Sequence, residues 1–121
     1  MKQLNKPGEF DYDFKNDIFF FKVKNREYSH SIELGDLVID FDEENFIVGL
    51  QIFNAKDFFN ITKNHLKNLN GFRMNSIVKE GIIKIELTFG LLIRNKSIEY
   101  KPIIYERIDE RLPNSELSCA I

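Results

Sequence analysis

Gly35–Ala55, GDLVIDFDEENFIVGLQIFNA, decides the fold. Leu37, Ile39 and Phe41 fall at alternate positions, as do Phe46, Val48, Leu50 and Ile52. Period two is the repeat of a β-strand, whose successive side chains point to opposite faces. Between the two runs lies the polar turn Asp42-Glu43-Glu44-Asn45, where Asn45 supplies the left-handed backbone that glycine more often provides. Gly49, inside the second run, marks a bulge or the close approach of a neighbour.

Alternation continues on both sides of this hairpin. Residues 1–8 read as frayed, with Pro7-Gly8 as punctuation. Phe10–Phe14, Asp17–Lys24 and Tyr28–Leu34 read as strands. The run Ile18–Phe21 is apolar on both faces and calls for cover on both. Downstream, Asn54 is read as the cap of one helical turn and Thr62 as the cap of a second, with Asn70-Gly71 ending it. Phe72–Val78 alternates again up to the turn Glu80-Gly81. Ile82–Arg94 holds strict period two, longer than the usual five or six residues, and Gly90 is its expected bend. Ser97–Arg107 returns beside it, with Pro102 confining it to an edge or a bulge. The expected fold is mainly β (α+β). It is an antiparallel meander of about five strands, a short helical connection over 54–69 and about three more antiparallel strands. Residues 1–121 are expected to form a single domain: a β core over 10–60, a β extension over 71–107 and a polar tail over 108–121. The pattern fits one sheet or two.

The 12 phenylalanines, with no tryptophan, agree with a pleated, half-buried architecture. Net charge is -2, which argues against a surface built to neutralise phosphates. The one cysteine, Cys119, rules out an intramolecular disulfide. The N-terminal residues lack the apolar core of a signal peptide, and no apolar run reaches membrane-spanning length. The expectation is a cytoplasmic protein with no membrane or nucleic-acid partner and no cofactor.

Tyr12-Asp13, Asp17 and the run Ile18–Phe21 form one half of a pattern. The other half is Ile32-x-Leu34-Gly35-Asp36, Val38-x-Asp40-Phe41-Asp42 and Ile47-Val48-Gly49-Leu50-x-Ile52-x-x-Ala55. Together they resemble the prokaryotic family called domain of unknown function 2283, over about residues 10–60. The C-terminal half is similar to an extension of archaeal members. Asn45 departs from the family pattern, which has glycine at the turn. The resemblance implies a small β-rich domain and carries no activity, so it assigns no catalytic residue.

The candidate chemistry is sparse. Asp40, Asp42, Glu43 and Glu44 invite a calcium-loop reading, but from Asp40 the sixth position is Asn45 and the twelfth is Gln51, where Gly and Glu are needed. A solvated turn explains them better. Asp13 and Asp17 could join Asp40 and Asp42 in an acidic site if their strands are neighbours. His30 lies between Ser29 and Ser31, yet adjacent strand residues face opposite ways, so no Ser–His pair follows. Lys63, His65, Lys67 and Arg73 form the most basic stretch, which reads as a solvated helix face. Phe58, Phe59 and Leu66 are candidates for lining a ligand pocket between sheet and helices.

The leading expectation is a non-enzymatic homodimeric interaction module, since the long strands offer more apolar surface than one short sheet hides. A small-molecule-binding or regulatory domain is the alternative. A metal-dependent enzyme using the four aspartates is the second.

Overall fold

The computed structural model describes residues 2–108 and 112–120. The strands are β1 (Lys2–Asp13), β2 (Ile18–Val23), β3 (His30–Leu34), β4 (Leu37–Phe41) and β5 (Ile47–Phe53). Two short helices follow, α1 (Ala55–Phe59) and α2 (Lys63–Lys67). Then come β6 (Phe72–Lys79), β7 (Ile82–Ile93), β8 (Lys96–Tyr100), β9 (Ile103–Arg107) and β10 (Ser115–Ala120). The mainly β class and the short helical connection are as the sequence implies.

All ten strands are hydrogen-bonded in the order β3-β4-β5-β2-β1-β10-β6-β7-β8, with β9 also on β7. The path turns a corner within β1. Lys2–Pro7 pair parallel with β10, whereas Gly8–Asp13 pair antiparallel with β2. A Cβ on Gly8 would lie 2.4 Å from the Cys119 sulfur and 2.9 Å from the Phe21 ring, so only glycine lets the half-sheets approach here. Past the corner the half-sheets face each other. Phe19 and Phe21 of β2 meet Phe72 of β6 and Phe89 of β7, with ring centroids 4.8–5.6 Å apart. One apolar core runs through both.

Local expectations are corrected in several places. The segment before Gly8 is not frayed: residues 2–7 are strand, held by β10. The tail over 108–121 includes β10, which lies between β1 and β6 and buries Leu117 and Cys119. Its alternation is only six residues long, and its parallel partner lies at the other end of the chain. The first five strands are not a plain meander, because β2 pairs with β5 and the chain crosses over to place β3 at the edge. β2 takes a central place between β1 and β5, but the cover expected on both its faces is present on one: Phe19 and Phe21 are buried, whereas Phe20 is 36% exposed. The return segment 97–107 splits at Lys101-Pro102 into β8 and β9, both on the same edge of β7.

Several turn readings hold. Asn45 is left-handed with φ 65°, and Glu80 and Gly81 both have positive φ, as a tight hairpin requires. Gly49 sits at a bulge where the β4–β5 register shifts, and a Cβ there would lie 2.8 Å from an Asp40 oxygen. Gly90 is a crossing point: Asn70 donates to its carbonyl at 2.7 Å, and a Cβ would lie 1.9 Å from the Asn70 carbonyl oxygen.

Candidate functional site

The four aspartates do not converge. Asp13 and Asp17 belong to the β1–β2 turn, and Asp40 and Asp42 to the far end of β4. Asp13 accepts from the backbone and side chain of Asn16, and these bonds hold its pKa below the usual carboxylate value. Asp17 is buried, with φ 55°, and accepts from the Tyr12 hydroxyl at 2.6 Å and from the Lys56 N–H at 3.2 Å. It thus caps α1 from a distant turn. Asn54, read as the cap, makes no side-chain cap bond and instead donates to Asp36. Burial and the Asp17 carboxylate together raise the Tyr12 pKa.

At the opposite end, Asp42 is the centre of a polar lock. One oxygen accepts from the N–H groups of Glu44 at 2.9 Å and Phe46 at 3.0 Å, closing the turn around Asn45. The other binds the Arg26 guanidinium, which also reaches Glu44 at 3.1 Å and lies over the Phe46 ring. Burial disfavours the Arg26 charge, but the carboxylates outweigh it and raise its pKa. Asp40 accepts from Ser31 at 2.6 Å, its cross-strand neighbour. All four carboxylates are engaged by protein donors. Among the described residues no three of His, Cys, Asp and Glu are placed to hold a metal ion.

Two concavities adjoin this lock. One, about 320 Å³, is polar and lies between the β2–β3 connection and the Asp42–Glu44 turn. The other, about 250 Å³, runs over Gly49 between Phe20 and Tyr28, with Lys22, Asp40 and Gln51 at its rim. Neither includes the pocket candidates. Phe59 and Leu66 are buried core side chains, and Phe58 is 39% exposed, edge-on to Phe59. The carbonyl of Phe59 accepts from the Tyr100 hydroxyl, which ties α1 to β8.

The other singled-out residues have structural roles. His30 stacks on Phe41 at 5.1 Å, while Ser31 faces Asp40. His65 completes a reciprocal cap with Thr62. Lys63 and Lys67 flank the exposed Phe14 ring at 4.7 and 5.1 Å, and Arg73 turns towards Glu99. Burial raises the Cys119 thiol to about 11.

A further exposed apolar group lies on the outer face of the second half-sheet. Ile82 is 39% exposed, Ile103 52% and Tyr105 63%. Ile82 and Tyr105 sit with Ile77 around a shallow apolar depression of about 410 Å³ crossed by Lys84. Reading the strands singly did not join Tyr105 to Ile82, because only the β7–β9 register, which pairs Tyr105 with Lys84, brings them to one depression.

A family model described as "Protein of unknown function (DUF2283)" matches residues 9–56. That stretch carries both polar ends of the first half-sheet. A Methanosarcina mazei protein named "Putative hypoxanthine phosphoribosyltransferase" is 32% identical over 99 residues, covering 82% of this chain and 80% of that protein. An uncharacterized protein of Methanocaldococcus jannaschii is 32% identical over 97 residues, covering 79% of this chain and 84% of its own length. Both are archaeal, and both similarities extend beyond the family match. No solved structure matches. Among the described residues no helix is long and apolar enough to cross a membrane.

Proposed function

This chain belongs to the DUF2283 family of proteins of unknown function, and from that premise we propose that it is a non-enzymatic interaction module acting as a homodimer. One observation carries the reading. Ile82, Ile103 and Tyr105 expose apolar side chains on one open face of the second half-sheet, around a shallow depression. Open apolar patches on a small protein mark association surfaces. The carboxylates are meanwhile engaged in turns and caps, which supports a structural role for them.

A second reading, a small-molecule site, rests on the groove over Gly49, where Phe20 and Tyr28 stand above a backbone floor. The space between sheet and helices is filled by Phe59 and Leu66. The name of the M. mazei relative suggests phosphoribosyl transfer. Displacing pyrophosphate calls for several N–H donors at a loop or helix start, usually with a divalent cation. Asp13, Asp17, Asp40 and Asp42, two at each end of the half-sheet, offer no such convergence, and that reading ranks last.

Native mass spectrometry of protein purified without chelators tests the proposal. A dimer mass with nothing bound supports it, and a monomer at micromolar concentration refutes it. A bound small molecule moves the assignment to the second reading. Turnover of hypoxanthine with a phosphoribosyl donor would replace both.

A further inference from the structure

We infer that the second copy docks through β9, pairing antiparallel with its own β9 about a two-fold axis at Tyr105 and joining the sheets edge to edge. This rests on the homodimer reading above and names its surface.

The argument starts from backbone parity. The Leu87 N–H donates to the Pro102 carbonyl and the Ile108 N–H to the Gly81 carbonyl. In the β7–β9 register these bonds belong to the even-numbered residues of the segment, so Ile104 and Glu106 turn their peptide groups towards β7. Ile103, Tyr105 and Arg107 turn theirs away. Among the described residues no strand pairs with that side of β9. A two-fold axis at Tyr105 sets Tyr105 opposite its copy and Ile103 opposite Arg107 of the second copy. Every residue with outward peptide groups then meets another of the same kind, which is the condition for closely spaced antiparallel bonds.

The side chains fit the same axis. Tyr105, Ile103 and Arg107 share the outer face, and β7 places Lys84 beside Tyr105 and Glu86 beside Ile103. Across the dyad the central row reads Lys84, Tyr105, Tyr105, Lys84. The row beside it reads Glu86, Ile103, Arg107, Ile82, so the arginine of the second copy approaches Glu86. A border with both charge signs suits a second copy of this chain better than a partner of one sign.

A Tyr105→Cys variant tests the register. Directly opposed residues in such a pair have Cα atoms about 5.5 Å apart, within disulfide range. The native Cys119 is buried, so the introduced thiol is the exposed one. Mild oxidation should give a covalent dimer from Tyr105→Cys and none from the distant controls Leu92→Cys and Ser31→Cys. Tyr105→Pro removes an N–H that β7 does not use and should weaken the dimer at least tenfold relative to Tyr105→Val. A wild-type dimer that neither cross-links at 105 nor distinguishes proline from valine overturns the β9 register and leaves the homodimer standing. A monomeric wild type overturns both.

Discussion

The two half-sheets share one core but finish their surfaces in opposite ways. In the first, β2–β5 with the second part of β1, polar side chains tie the ends together: Asp17 caps α1, and Asp42 holds Arg26 and its own turn. Its edge strand β3 shows Ser31 and Glu33 outward and turns Ile32 and Leu34 towards the core. In the second, β6–β10, side-chain bonds to the strands are few, and the edge strand β9 shows Ile103 and Tyr105 outward. The contrast teaches that polar residues in one fold can be spent on closure, while apolar ones remain available for association. The family match covers the closed half and the open face lies outside it.

If that contrast is right, lesions in closure lower stability without altering the mass of the assembly. Lesions on the β9 face do the reverse. The largest effect is expected for Gly90→Ala. A methyl group there collides with the Asn70 carbonyl and breaks the bonds that hold residues 70–71 on β7. Thermal or urea unfolding should show a loss of about 3 kcal/mol or more. Asp42→Ala comes next. It strands the half-buried Arg26 and leaves two turn N–H groups unpaired, at about 2 kcal/mol. Native mass should be unchanged, and a shift to monomer would dissolve the contrast.

Asp17→Asn keeps the shape and the left-handed backbone but replaces a charged acceptor, so about 1 kcal/mol is expected from chemical denaturation. The smallest effect is on pH dependence. The Cys119 thiol is raised from 9.0 to about 11, so its neutral form is favoured in the folded state. That contribution is complete below about pH 9 and is lost as pH rises through about 11. Melting temperature should fall over this window, and the part due to Cys119 should disappear in Cys119→Ala. A native thiol that reacts rapidly at pH 8 would contradict its burial.

Much of this was legible in the chain. Leu37/Ile39/Phe41 and Ile83/Ile85/Leu87/Phe89 announced their strands by period two, and both sets are buried. Asn45 and Gly81 announced turns through the backbone conformations they tolerate. Gly49 announced its bulge. The candidate surface was less legible. Phe59 and Leu66 carry the same apolar signal whether they fill a core or line a pocket, and only their neighbours decide. Asp17 looked like the start of a strand and Asp42 like a turn residue, and the sequence showed neither the α1 N–H groups nor Arg26 arriving from 39 and 16 positions away.

The sequence by itself determined the class of the protein, the positions of most strands and hairpins, and the family. These follow from local physics: side-chain alternation, steric limits on φ and the few ways to close a turn. Only the tertiary structure decided that β10 joins the two chain ends, that β2 seeks β5, that the aspartates stay apart and that Ile82 meets Tyr105. Those outcomes depend on contacts between segments far apart in sequence. No local period encodes which strand an exposed edge will find.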